Sequence, residues 1–216
     1  MAEQDVMDEV QVTEMGNPRK PEGEAGTMML KRMNDSHAEV TEWAFSFLDI
    51  KPDDKILDVG CGGGAALARL SKFIDTGHLT GVDYSPVSVD TSREFNAEDI
   101  EKERMDIFEA SVDALPFYDG SFDKVVTVES FYFWPHPVED LGEVWRVLDD
   151  NGVFLLTADI YQKDDLSDRV RANIRKFDLT NPTPELFEEM FKEAGFSKVV
   201  IHTKEGTDWI AVEGHK

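Results

Sequence analysis

Apolar positions along the chain switch between two periods, and the switches mark the elements. Residues 28–48 carry Met29, Met33, Val40, Ala44 and Leu48 at three- to four-residue spacing, with Trp43 and Phe47 joining the stripe, which predicts one helix. Short apolar runs then alternate with helical stretches. Strands are expected at 56–59, 78–82, 105–110, 122–128 and 153–157, and helices at 65–74, 86–103 and 138–148, with 149–152 as a turn. A helix over 164–176 lies outside that alternation. Another over 183–194 has Thr183 as N-cap, Pro184 at its first position and Gly195 just past its end. Residues 198–203 and 209–212, joined through Glu205-Gly206, predict a closing hairpin. Strands alternating with helices imply an α/β fold: a parallel sheet covered on both faces, into which the hairpin brings one antiparallel strand.

The chain of 216 residues suits one folded domain. We place it at 28–216, with 28–53 as an N-terminal helical cap and 160–182 as a variable insertion. Residues 1–27 are acidic and polar, and Gly16, Pro18, Pro21, Gly23 and Gly26 forbid a continuous helix there. They are expected as a tail or, through Asn17, Arg19 and Lys20, as a lid over a ligand.

Composition narrows the function. With 22 Lys and Arg against 45 Asp and Glu, the net charge of −23 disfavours nucleic-acid partners, whose binding rests on neutralising phosphates. No apolar run is long enough to span a bilayer, so membrane insertion is not expected. The single cysteine, Cys61, allows no intramolecular disulfide and no cysteine-based metal cage. We expect a cytoplasmic protein, a monomer or homodimer, without a metal and acting on a small molecule.

The candidate chemistry starts at residues 56–67, ILDVGCGGGAAL, a strand running through a glycine turn into a helix. Such a turn lets backbone approach a ligand while the helix N-terminus offers free N–H groups. By itself it is ambiguous. Gly60, Gly62 and Ala65 satisfy a dinucleotide fingerprint, whereas Gly60, Gly62 and Gly64 satisfy a turn wrapping an amino-acid-like tail. Asp83, at the end of the second strand, suits a ribose diol in both cases.

The surrounding blocks separate the two. ILDVGCGGG, GVDYSP at 81–86, ALPF-YDGSFDKV at 114–125, WRVLDDNG at 145–152 and the ending KEAGFSKVVIHTKEGTDWIAVEG occur in order. In these blocks the sequence resembles the class I S-adenosylmethionine-dependent methyltransferases, specifically the small single-domain type related to ubiquinone/menaquinone-biosynthesis enzymes. The resemblance implies a Rossmann-like seven-stranded, mostly parallel sheet with an antiparallel last strand and helices on both faces. It also implies methyl transfer from S-adenosylmethionine, yielding S-adenosylhomocysteine, to a small molecule through an undetermined C, O, N or S nucleophile. The readings set against it are a Rossmann-fold NAD(P)-dependent oxidoreductase and a non-catalytic S-adenosylmethionine-binding protein.

Carried over by position, Asp58 and the backbone of Gly60, Cys61, Gly62 and Gly64 would hold the methionine part. Asp83 would take the ribose hydroxyls, with Tyr84 beside the adenine. The family often has an Asp after the third strand for the adenine amino group; here Ser111 stands there, followed by Val112 and Asp113, and any of the three would serve. Glu129 ends the fourth strand beside the expected methyl position and is a candidate for both cofactor contact and catalysis. His37 is the other candidate base, since imidazole titrates near neutrality. Asn34, three residues away on the same helix side, joins His37, Tyr132, Trp134 and Tyr161 as candidate substrate contacts.

Overall fold

The computed structural model describes residues 9–216; the first eight residues of the expected tail lie outside that range. Seven strands form one sheet in the order β3-β2-β1-β4-β5-β7-β6. They are β1 (Lys55–Val59), β2 (His78–Asp83), β3 (Met105–Glu109), β4 (Phe122–Val128), β5 (Leu148–Ala158), β6 (Lys198–Thr203) and β7 (Ile210–His215). β1 lies parallel to β2 and β4, with Ile56 opposite both Leu79 and Lys124. β7 alone runs antiparallel to its neighbours, β5 and β6. The seven-stranded, mostly parallel sheet implied by the resemblance is therefore the fold observed.

The period of two in β1 sorts its side chains between two apolar layers. Leu57 and Val59 face a layer with Leu141, Val144, Phe187 and Phe191, whereas Ile56 faces one with Ala44, Leu67, Leu70 and Val89. The helices supplying these layers are α3 (Ala38–Phe45), α4 (Ala65–Leu70), α5 (Pro86–Phe95), α7 (Pro137–Val147) and α9 (Pro184–Glu193). Asp58 has the parity of Ile56. Because it stands near the carboxyl end of β1, it meets the glycine turn instead of the helix layer.

Several boundaries depart from the pattern, each for a visible reason. The single helix expected over 28–48 is two, α2 (Gly23–Ser36) and α3, broken at His37 with φ −91° and ψ 5°. The carbonyl of His37 accepts both the amide and the hydroxyl of Thr41, and the helix restarts at Ala38. The helix expected over 86–103 is α5 and α6 (Ala97–Glu101), interrupted at Asn96, whose Nδ2 donates to the carbonyls of Gly64 and Ser92 at 3.1 and 3.0 Å. Residues 149–152, expected as a turn, belong to β5: Leu148 already pairs with Phe122, and the register slips between Phe122 and Lys124. Helix α4 stops at Leu70, short of residue 74. α8 (Asp168–Phe177) starts four residues late, where Ser167 caps it by accepting the Val170 amide at 3.2 Å.

Within the segment expected as tail or lid, residues 9–16 form α1 (Glu9–Gly16) and α2 begins at Gly23. The intervening Pro18–Pro21 stretch is tied to the end of β2. The Ser85 hydroxyl donates to the Pro21 carbonyl at 2.6 Å, and the Tyr84 hydroxyl donates to the carbonyl of Arg19.

Candidate active site

A cavity of about 350 Å³ opens at the carboxyl ends of β1, β2 and β4. That is where open α/β sheets bind ligands. Its floor is the turn after β1. Gly60 takes φ 74°, and a Cβ there would collide with the Ser130 hydroxyl, so only glycine lets β1 turn beneath the end of β4. Gly64, with φ 83°, opens α4 but faces Ser92 and Asn96 and does not line the cavity.

Two carboxyl groups dominate this end. Asp58 is 1% exposed, and neither of its oxygens has a hydrogen-bond partner. Burial, reinforced by the charge of Asp83, pushes its carboxyl up to about 8. Asp83 accepts the amides of Gly62 at 3.0 Å and Ser85 at 2.9 Å. Burial raises its carboxyl as well, against the pull of those amides. An unpartnered buried carboxyl on a cavity wall calls for a cationic ligand group. The α-amino group of S-adenosylmethionine would meet that need, with ribose hydroxyls on the lone pairs Asp83 has left. The residues present thus fit the cofactor. Cys61 is buried beside them, and burial together with Asp83 and Asp58 keeps its thiol well above the ordinary range.

The second polar group lies across the cavity. Glu129 follows β4 with φ 58°, a backbone strain typical of functional positions. Its Oε2 accepts from the Tyr132 hydroxyl at 3.2 Å, while Oε1 is buried without a partner. Burial first, then the charge of Asp159, hold the Glu129 carboxyl well above the carboxylate range. The Tyr132 oxygen accepts the amides of Asp159 and Ile160 at 2.9 and 3.3 Å and lies 2.9 Å from Asp159 Oδ1. His37 sits on the wall at the α2–α3 break; burial lowers its imidazole, Asp159 partly restores it, and Arg32 lowers it further.

Of the residues singled out from the sequence, Asn34, His37, Asp58, Gly60, Cys61, Gly62, Asp83, Tyr84, Ser111, Val112, Glu129 and Trp134 line this one cavity. Gly64, Asp113, Tyr132 and Tyr161 do not. Asn34 spends its amide on the Gly63 carbonyl at 3.0 Å, which clamps α2 to the turn. Tyr132 is buried behind Glu129. Pattern reading passed over Leu30, Met33, Thr41 and Arg69, which also form the wall, whereas Phe133, on the wall too, belongs to the aromatic run after β4 where a substrate is expected. Leu30 and Met33 belong to an apolar stripe that reads as core. Asp159 carried one unused signal: like Glu129, it directly follows a parallel strand. Among the described residues, no group of His, Cys, Asp and Glu side chains converges as a metal site, and no helix is long and apolar enough to cross a membrane.

Comparison with known proteins gives the site its context. Residues 57–156 match the family described as "Methyltransferase domain". A sterol 24-C-methyltransferase of Neurospora crassa is 31% identical over 126 residues, covering 56% of this chain and 33% of that protein. A chloroplastic 2-methyl-6-phytyl-1,4-hydroquinone methyltransferase of rice is 30% identical over 147 residues, covering 68% and 42%. The chain thus spans well under half the length of either relative. In structure, the putative methyltransferase complexed with the Trm112 activator of Haloferax volcanii superposes with a TM-score of 0.73 at 23% identity, covering 86% of this chain and 92% of that one. A Streptomyces coelicolor geranyl diphosphate C-methyltransferase, solved with S-adenosyl-L-homocysteine, gives 0.68 at 14% identity, covering 82% and 75%. The matched region contains the glycine turn, Asp83 and Glu129, and residues 57–156 are a methyltransferase domain similar to those of the sterol and hydroquinone methyltransferases.

Proposed function

We propose that this protein transfers a methyl group from S-adenosylmethionine to a small-molecule acceptor. The observation that carries the proposal is Asp58, a buried carboxyl with both oxygens unpartnered, opening onto the cavity beside Asp83. A nicotinamide dinucleotide would set its pyrophosphate against those two acids, an arrangement that costs binding energy where a cationic amino-acid tail gains it.

The cofactor supplies an electrophilic methyl group on a sulfonium. The chain does the rest. Asp58 binds the amino group, Asp83 the ribose, and Tyr84, Ser111 and Val112 border the adenine end. Leu30, Met33, Phe133 and Trp134 give the remaining wall an apolar character suited to a small, largely apolar acceptor. The names of relatives acting on sterols and a phytyl hydroquinone agree with that choice. Residues 17–21 act as the lid, and 160–182 shape the acceptor end. Glu129 and His37 face the reacting centre, where alignment at about 3–3.5 Å is the main contribution an enzyme can make.

Calorimetry with S-adenosylmethionine, S-adenosylhomocysteine, NAD and NADP tests this reading. Micromolar binding of the first two and none of the nicotinamides is expected. Binding of a nicotinamide with no response to either sulfur compound would overturn it. A non-catalytic binding protein would bind S-adenosylmethionine yet never convert it, whatever acceptor is offered.

A further inference from the structure

In the proposed function, Asp58 answers one of the two charges that an α-amino-acid tail carries. The other, a carboxylate joined to the same carbon, would lie close by, at the end of the cavity where Asp58 and Asp83 are both buried. An anion set beside two buried acids loses binding energy unless a cation stands with it. Among the described residues lining the cavity, two are arginines, Arg19 and Arg69. Arg19 is engaged elsewhere, with its Nη2 on the Asp178 carbonyl at 3.1 Å and its guanidinium over the Phe133 ring. His37 is a poor cation, because burial lowers its imidazole. Arg69 remains. Its side chain folds back along α4, and Nη1 donates to the carbonyl of Ala65 at 3.0 Å. Ala65 is the first residue of α4 and directly follows Gly64, so the guanidinium is held at the turn. Ala65 and Ala66 line the cavity with nothing larger than a methyl, which leaves room beside the charge. Glu42 of α3 sits 3.8 Å from Nε with its side chain 72% exposed, which makes a weak ion pair. Among the described residues, Nη2 of Arg69 has no hydrogen-bond partner.

We propose that Arg69 binds the carboxylate of the cofactor's methionine tail, so that Asp58 and Arg69 together read an α-amino acid by both of its charges. The inference rests on the methyltransferase reading above. A planar guanidinium presents paired N–H donors that match a carboxylate. The Ala65 carbonyl holds that fork at the turn before a ligand arrives, which lowers the ordering cost of binding. Glu42 is then a competitor for the same cation, and its weak, exposed contact yields when a carboxylate takes the guanidinium. The pair sets ligand specificity and takes no part in the bond changes. A nucleoside thioether ending in a bare amine satisfies Asp58 alone, and one that lacks both charges satisfies neither residue.

The test is calorimetry on the full chain with two probes, S-adenosylhomocysteine and its decarboxylated form, an amine that lacks only the carboxylate. The parent protein should bind S-adenosylhomocysteine about tenfold more tightly than the amine. In Arg69→Gln, S-adenosylhomocysteine should weaken by about tenfold and the amine by less than about twofold, so that the discrimination closes. Glu42→Gln, a change at an exposed position of α3, provides the second variant should Arg69→Gln fold poorly. Relieved of its competitor, Arg69 should then hold S-adenosylhomocysteine about twofold more tightly, with the amine unchanged. A parent protein that binds the amine as tightly as S-adenosylhomocysteine, or more tightly, overturns this inference alone. So does an Arg69→Gln variant that keeps the discrimination, which would assign the carboxylate to the amides of the turn, or one that loses both probes alike. Where Glu42→Gln has to decide, an unchanged preference between the probes overturns it too. A parent protein that binds neither probe overturns the methyltransferase reading beneath it.

Discussion

The carboxylate of Asp83 accepts the amide of Gly62 across 3.0 Å, so the end of β2 holds the turn that follows β1 in the shape a ligand requires. The same side chain accepts the Ser85 amide, so it shapes the turn and starts α5, and in the proposed function it also offers lone pairs to a diol. Replacing Asp83 by Ala leaves two backbone donors without acceptors, at about 1–3 kcal/mol each if they stay dry. We expect Asp83→Ala to lose S-adenosylhomocysteine affinity by roughly 30-fold or more, equivalent to about 2 kcal/mol, and to unfold at lower urea. Calorimetry and urea titration check both.

In the proposed function, Asp58 should make cofactor binding depend on pH. Its carboxyl is raised to about 8 in the folded protein, against an ordinary value of 3.8. A raised acid favours the folded state below its unfolded value, and that stability is lost as pH rises through the folded one. The ligand-free protein should therefore be most stable near about pH 4, as far as this group is concerned, and lose stability toward about pH 8. Asp58→Asn should flatten that slope. A bound ammonium reverses the preference and drives a proton off Asp58. Affinity for S-adenosylhomocysteine should thus climb between pH 6 and 8 by up to about tenfold per unit. Calorimetry at pH 7 in buffers of different ionisation enthalpy should detect a proton released on binding.

Arg19 pins the segment before α2 across the cavity. Its Nη2 donates to the Asp178 carbonyl at 3.1 Å, its guanidinium lies 5.5 Å from the Phe133 ring centre, and its own carbonyl accepts from Tyr84. Each contact is partly exposed, so the sum is modest, about 1 kcal/mol. Arg19→Ala should speed release of S-adenosylhomocysteine roughly three- to fivefold in stopped flow, with a smaller effect on folding stability. Amide exchange at residues 17–22 should quicken in the same variant.

Cys61 lies buried in the turn with its thiol held well above the ordinary range. Its Sγ lies 3.8 Å from the Ser92 hydroxyl. The thiolate is the reactive form. Iodoacetamide at pH 8 should leave the native protein unmodified, as read by intact mass, and alkylate it once in urea. Rapid labelling of the native protein would show that the turn opens without global unfolding.

Much of this site was legible because parallel strands end where ligands bind. Asp58, Asp83 and Glu129 are polar residues at or just beyond strand ends, and a strand run plus its terminal polar residue is a local signal. What escaped was long-range. The break at His37 has no glycine or proline to announce it; the Thr41 hydroxyl, donating to the His37 carbonyl, accompanies it. The kink at Asn96 depends on the Gly64 carbonyl, thirty-two residues earlier. Asn34 appeared free to meet a substrate, yet its amide is taken by Gly63 on a different element. Tyr132 reads as a wall residue from the ESFYFWP run. The short 3₁₀ turn at Phe131–Phe133 instead points its hydroxyl behind Glu129, toward the end of β5.

The sheet order also has a consequence for how the chain is made. β6 precedes β7 in sequence, yet β7 lies between β6 and β5. As the polypeptide leaves the ribosome, β6 emerges with no place to dock, and the flank of β5 stays open until residues 210–215 arrive. Val153 to Ala158 is an apolar, two-sided strand, the kind of open edge that recruits other chains. Ribosomal stalling or premature release just before β7 should therefore yield an aggregating product instead of a weakened enzyme, and holding β5 covered during synthesis falls to the cell's chaperones.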